Sequence, residues 1–417
     1  MLQTAHSSNA KKFNAKSRAF YILWLVFAIY LIDFADRKVM SVLFESIKHD
    51  WHMTDVQLSF LEGITSLVIA VCVLPMAIII DRWSRKYMIA IMVGAWSVIT
   101  FLCAFAENYE QLLLLRALIG VGEAAYAPAA VSLISKVFPV RHRSKYIGVF
   151  DAAAPFGVAL GMVVGGYIGM VYGWRHAFGL VAIPGIIFAV MALWIRDYHT
   201  IPLYRKAKKV KFSFSHIQDL FAIRTLVLVC LAFSCMVGVN TAVLDWAPSF
   251  FMRVHSLSQA QAGGVSAIIA VSALLGAPLG GYIADRWNVV QKSAKIYVSA
   301  ISTCCAGICL LLAISLENAY AVYICFGLFG MCTVAFLGPA TAIIQEVVQP
   351  GMRTIAFGIN VIAINVLGSF AMIMLVGYIS DMYSIRIALL SISLFTFIAA
   401  SLFIIAKRFY TNDICTQ

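Results

Sequence analysis

The sequence predicts an all-α membrane protein with twelve transmembrane helices arranged as two pseudo-symmetric six-helix bundles. Composition is the first ground. Of 417 residues 62% are hydrophobic and 12% charged, with a mean hydropathy of +0.91, whereas an ordinary soluble domain is about 25% charged. Length is the second, because twelve apolar stretches each reach roughly the 20 residues that a bilayer crossing requires. Internal repetition is the third. Ile-Asp-Arg-Trp ending at Trp83 returns as Ala-Asp-Arg-Trp ending at Trp287. Ala127-Pro128-Ala129 returns as Gly338-Pro339-Ala340, and Gly166-Tyr167-Ile168 with Tyr172 and Arg175 returns as Gly377-Tyr378-Ile379 with Tyr383 and Arg386. Several matches in order, at a nearly constant offset, indicate a duplicated six-helix unit with any binding site at the midplane between the copies.

In chain order, residues 1–18 form a polar, basic tail expected to lack fixed structure. The first bundle, 19–195, holds spans at 19–43, 57–80, 87–106, 111–136, 145–170 and 175–195. A basic linker follows at 196–222. The second bundle, 223–407, holds spans at 223–250, 260–284, 292–315, 319–346, 353–380 and 384–407, and residues 408–417 form a tail. The first span is too long for a cleavable leader and is expected to stay as an anchor. Twenty-four of the 31 Lys and Arg fall on the side of the termini and linker, which by the positive-inside rule is cytoplasmic. The net charge of +12 is therefore a topology signal that can also attract anionic lipid heads, and it does not imply a nucleic-acid partner. Nine of the ten cysteines lie within spans, so no disulfide framework or metal site is expected. Trp246, Phe250 and Phe251 are candidates for an interfacial aromatic belt.

Charge inside so apolar a chain marks the candidate site. The first span carries Asp33, Asp36, Arg37 and Lys38, and the fourth carries Arg116 and Glu123. Arg116 and Glu123 are two helical turns apart and share a face, as do Asp33 and Asp36. A charge at membrane depth costs about 2.5–3.5 kcal/mol on insertion scales, so it must be paired or face water. Asp33 and Lys38 stand either in this interior or at a helix end that meets water. Asp36, Glu123, Arg37 and Arg116 supply two acids and two bases whose charges sum to neutrality. Such residues mark substrate paths or proton relays, or form a structural salt-bridge lock, and the two roles are not exclusive. Glu62, Asp151, Asn240, Asp245, Asn360 and Asn365 are further candidates for the cavity wall, Glu62 and Asp151 foremost because an unpaired carboxylate facing lipid is costly, while interhelical hydrogen bonds account for the asparagines equally well. The repeat has Gly327 and Val334 where the first half has Arg116 and Glu123, so the polar chemistry is expected in the first half. Gly157, Gly161, Gly165 and Gly169 form a stripe for close helix packing, and are also expected to form a surface along which the halves slide.

The turn Asp81-Arg82-Trp83-Ser84-Arg85-Lys86 follows the second span, and Asp285-Arg286-Trp287 repeats it. It is either a positive-inside anchor or a latch in which the acid meets a neighbouring helix N-terminus. The two turns resemble the loop signature Gly-x-x-x-Asp-Arg-x-Gly-Arg-Lys of the major facilitator superfamily, with Ala77 and Ser84 where glycines are usual. Arg116-x-x-x-Gly120 matches the superfamily's fourth-helix signature. The Asp36-Arg37 pair, Asp81–Tyr87 and Arg116–Tyr126 resemble the Spinster-like branch and, nearly as well, the anion:cation symporter branch. The resemblance implies a proton-coupled transporter in which Asp36 and Glu123 carry protons and Arg37 and Arg116, with Asp33, Glu62 and Asp151, line the substrate cluster. It implies a gating role for Asp81, Arg82, Arg85, Lys86, Asp285 and Arg286. Substrates in these branches are lysolipids and sphingoid phosphates, or sugar acids and other organic anions. No HExxH, nucleophile elbow or P-loop occurs, so neither a lipid-modifying enzyme nor an ATP-driven pump is expected. No cofactor is expected. The expected protein is a monomer in a bacterial inner membrane with both termini in the cytoplasm.

Overall fold

In the computed structural model, which describes residues 2–82, 85–124, 126–195 and 214–414, twelve helices are long and apolar enough to span a bilayer. They are α1 (Ser17–Trp51), α2 (Asp55–Val73), α3 (Lys86–Cys103), α4 (Tyr109–Val137), α5 (Arg143–Tyr172) and α6 (Trp174–Ala192). The second half holds α7 (Arg224–His255), α8 (Gln259–Asn288), α9 (Ala294–Ser315), α10 (Ala319–Val347), α11 (Ile355–Met382) and α12 (Ile385–Asp413). Large apolar side chains such as Trp24, Val71, Leu114, Leu275 and Ile404 remain exposed, as lipid-facing surfaces require.

The two halves repeat each other's packing. In the first, α1 packs on α5 and α6, α2 on α4, and α3 on α6. In the second, α7 packs on α11 and α12, α8 on α10, and α9 on α12. Two contacts join the halves broadly, α5 with α8 and α2 with α11, and α1 meets α7 between them.

Several element ends differ from the sequence reading, for physical reasons. The helix of α1 already begins at Leu2, so the basic tail continues it. At its other end α1 runs to Trp51, eight residues past the expected 43, because Glu45 and Lys48 reach partners beyond the apolar zone. A short helix, Phe214–Ala222, lies within the linker. The helix of α12 continues to Asp413, whose carboxylate accepts from Thr225 N at 3.0 Å and caps the start of α7. A π-helical turn at Ile364–Phe370 interrupts α11, a local break common at functional sites.

Three of the four stripe glycines face α1 of their own half, so the stripe serves mainly to pack that half. A Cβ added at Gly157 or Gly161 would run into the carbonyl oxygens of Leu31 or Ala35 on α1, and one at Gly165 would press on Val39. Only Gly166 and Gly169 reach the other half, against Gln259. The stripe thus seats α5 on α1 and fixes the rotation of the helix that carries Asp33–Lys38. Overpacking of this kind is worth about 1–3 kcal/mol. Gly161→Leu is therefore expected to lower the thermal unfolding midpoint in detergent. Gly264→Ala, where nothing lies within 4 Å, should leave it unchanged. Equal midpoints for the two variants would contradict this packing role.

Candidate functional site

Asp33, Asp36, Lys38, Glu62, Arg116, Glu123 and Asp245 each expose 7% or less of their surface, deep among apolar spans. Arg37 joins two acids. Its Nη2 stands 3.3 Å from Asp33 Oδ2, one turn back on α1, and 3.1 Å from Glu123 Oε2 on α4. The guanidinium also lies over the Phe34 ring, 5.2 Å from its centroid, a favourable seat for a cation. Asp36 turns to another neighbour: Thr100 Oγ on α3 donates to its Oδ2 at 2.9 Å. The other oxygen of Asp36 is buried without a hydrogen-bond partner among the described residues. Arg116 pairs with Glu62 on α2 at 2.5 Å and donates from Nε to the Leu61 carbonyl at 3.4 Å.

The four residues expected to form one set are thus partitioned. Arg37 holds Glu123 and Asp33, Arg116 holds Glu62, and Asp36 has a hydroxyl instead of a cation. Arg116 remains within electrostatic reach of Glu123 and Asp36. Asp33 and Glu62, expected as adjuncts, are direct ion-pair partners. Asp151 is exposed and makes no ion pair among the described residues. Trp83 and Ser84 lie outside the described residues, as do the side chains of Asp81, Arg82 and Arg85, so the first expected latch is not part of this geometry. In the repeat, Asp285 and Arg286 are exposed, and Arg286 lies over Tyr282 of its own helix at 5.1 Å.

Two features correct the sequence reading. Polar chemistry is not confined to the first half. Asp245 on α7 is fully buried and ion-paired with Lys38 of α1. This places Lys38 in the interior, because a charge there is tolerable only with such a partner. The charges also do not sum to neutrality. Five carboxylates (Asp33, Asp36, Glu62, Glu123 and Asp245) face three cationic groups (Arg37, Lys38 and Arg116), an excess of two acids if all are ionised.

A second cluster lies at the end of the bundles away from the termini. Asp55, at the start of α2, is 1% exposed. Arg253 of α7 grips it with both Nη groups, at 2.6 and 2.7 Å, the bidentate geometry that strengthens Arg–carboxylate pairs. Arg253 also pairs with Glu45 of α1 at 2.8 Å, and Lys48 and Ser380 donate to Asp55. Asp381 at the end of α11 accepts from the backbone N–H groups of Asp55 and Val56 at 2.8 and 2.9 Å, satisfying donors that a helix N-terminus leaves free. Gln259 of α8 bridges Ser46 and the Val42 carbonyl. Trp246, Phe250 and Phe251 are completely buried. They form a core behind the Arg253 end and not an interfacial belt, with Trp246 5.0 Å from Phe44 of α1. Among the described residues, the hydrogen bonds and ion pairs that join the halves run from Lys38–Asp245 out to this far end.

Sequence reasoning missed this cluster, although a signal was present. Lys48 and Arg253 are two of the four basic residues on the sparsely basic side, and basic residues against the topology trend call for acidic partners. Lys38 and Asp245 each stood out as a charge within a span, but their pairing had no comparable signal, because nothing in the chain links positions 207 residues apart.

A family model described as Major Facilitator Superfamily matches residues 26–372. Protein spinster of Drosophila melanogaster is 27% identical over 390 residues, covering 88% of this chain and 62% of that protein. The chain's match thus spans less than two thirds of that relative's length. A probable L-galactonate transporter of Escherichia coli (strain K12) is 26% identical over 411 residues, covering 93% of this chain and 89% of that protein. Among solved structures, a bacterial homolog to the human lysosomal transporter Spinster, in an inward-facing and unoccupied conformation, superposes with a TM-score of 0.83 at 19% identity. The superposition covers 96% of this chain and 99% of that one.

Proposed function

Because the chain belongs to the major facilitator superfamily of membrane transporters, we propose that it is a proton-coupled secondary transporter that carries an anionic small molecule by alternating access. Asp36 carries this reading: it is a buried carboxylate with no cation of its own and one oxygen unpartnered. A charge left that way in low dielectric is relieved by a proton. Glu123, shared with Asp33 on Arg37, is the second proton carrier, released when an anion takes its place on the guanidinium. Proton and anion binding are then linked, and linkage is reciprocal.

The substrate is an acid of sugar-acid or sphingoid-phosphate type. L-galactonate, named for one relative, represents the first class. An all-apolar cleft of about 410 Å³ between α7 and α11, lined by Leu226, Cys230, Leu231, Ile359, Val366 and Leu367, suits an acyl chain of the second class. With the basic side cytoplasmic, the far-end cluster is outside, and this is the state open to the cytoplasm of a bacterial inner membrane. Labelling of a cysteine at position 208 from outside intact cells would contradict that orientation. One chain carries both halves of the site, so a monomer suffices.

The test is transport by the purified protein in proteoliposomes. An imposed pH gradient should drive net movement of L-galactonate or of sphingosine 1-phosphate, and a protonophore should collapse it to the rate of passive exchange. Identical rates with and without the protonophore would rule out proton coupling.

A further inference from the structure

Lys38 and Asp245 form an ion pair between the halves, with side chains only 9% and 0% exposed. Beyond it on the same seam come the Phe44–Trp246 ring contact and then Arg253 with Glu45 and Asp55. A state open at the far end has to part α1 from α7 along this seam, which separates Lys38 from Asp245. Each charge then stands in the cavity without its counterion, and a buried charge is poorly tolerated alone.

Unused hydrogen-bonding capacity lies beside the pair. Among the described residues Asp245 Oδ2 has no hydrogen-bond partner, and neither has Ser249 Oγ, one turn on along the same face of α7. Both residues are buried, at 0% and 1% exposure. The α7 side of the seam therefore has hydrogen-bonding capacity that this state leaves unused. Arg37 and Arg116 already hold carboxylates of their own half. Lys38 is the one cation of the cluster whose counterion belongs to the opposite half.

We propose that Lys38 is a substrate-binding residue for which Asp245 substitutes only while the far end is closed. When the seam opens, an acidic group of the substrate takes Lys38, and hydroxyl donors on the substrate take Asp245 and Ser249. This rests on the transporter reading above and narrows it to a ligand with an acid beside hydroxyl groups. Sugar acids and sphingoid phosphates share that chemistry. A substrate of this kind replaces both halves of the broken pair at once, so its binding favours the opened seam. By the same logic Asp245 competes with the substrate and helps eject it when the seam closes.

The test uses the full chain, with L-galactonate in one arm and sphingosine 1-phosphate in the other. Lys38→Met/Asp245→Leu replaces the pair by apolar groups of similar size, an exchange that buried ion pairs generally tolerate. It should purify with an unfolding midpoint near that of wild type. Its ligand-induced rise in that midpoint should disappear, and its transport should fall at least tenfold. Asp245→Asn leaves Lys38 without its competitor and should bind the ligand at least tenfold more tightly while releasing it slowly. The arm in which that gain occurs identifies the substrate class. Wild-type ligand response and transport in the double variant would overturn the proposal even if Asp245→Asn failed to fold. Wild-type protein that carries neither ligand would overturn the transporter reading and this inference together.

Discussion

Arg253→Leu is expected to open the far end of the molecule. In the present state Arg253 ties Glu45 of α1 and Asp55 of α2 to α7, and Asp55 in turn also accepts from Ser380 of α11. Asp55 is almost fully buried, whereas the Arg253 side chain is 23% exposed. The loss is therefore smaller than the 3–5 kcal/mol of a fully buried pair, about 1–3 kcal/mol. A bias of that size shifts a two-state equilibrium by roughly 5- to 150-fold. Spin labels at His52 and Ser256, in a background without reactive cysteines, should show a longer-distance population become dominant in the variant. Arg253→Lys should shift it less, because an ammonium keeps the charge but lacks the two-pronged grip. Unchanged distances in Arg253→Leu would mean that the cluster is not what keeps this end closed.

Arg37→Ala and Arg116→Ala are expected to fail in different ways. Arg37 is the more accessible, at 25% side-chain exposure, and its two carboxylates can hand it to an anion. Charged hydrogen bonds contribute about 1.5–3 kcal/mol, so its loss should weaken anion binding by on the order of a hundredfold. Arg116 is 3% exposed and holds Glu62. Removing it strands a buried carboxylate at a penalty of about 3–5 kcal/mol, so Arg116→Ala should first lower the unfolding midpoint. Adding Glu62→Gln should restore most of that stability. Calorimetric titration beside thermal unfolding separates the two outcomes. Wild-type affinity in Arg37→Ala would remove that residue from the binding site.

The fold was legible because hydrophobic length and internal repetition are properties of the chain alone. The span boundaries were less so. Glu45, Lys48 and Asp413 end their helices where partners on other elements wait, and local hydropathy does not record a partner. Of the site, the members on α1 and α4 could be read because charge inside an apolar run has few explanations. Their partition among Asp33, Glu62 and Thr100 could not, since helical spacing gives the face a residue occupies but not which neighbouring helix it meets. Trp246 and its neighbours show the same limit. Aromatics near a span end fit a lipid interface or a core equally well, and packing of α1 on α7 decided for the core. The expectation of neutrality failed because Asp33 and Glu62 join the set as partners of Arg37 and Arg116 and bring two further acids; the Lys38–Asp245 pair, itself neutral, spans different halves, and each half read separately does not reveal it.

The central claim is that a proton on Asp36 or Glu123 is what couples the gradient to the anion. Its most direct test is anion transport into proteoliposomes by Asp36→Asn and Glu123→Gln, each measured with and without an imposed pH gradient. Both substitutions imitate the protonated carboxyl and leave Arg37 and Arg116 in place. Each variant should retain substrate exchange across the membrane at equal pH and lose gradient-driven accumulation or expulsion, with the loss more complete in Asp36→Asn, whose carboxylate has no cation of its own. Undiminished gradient-driven transport in both variants would contradict the account.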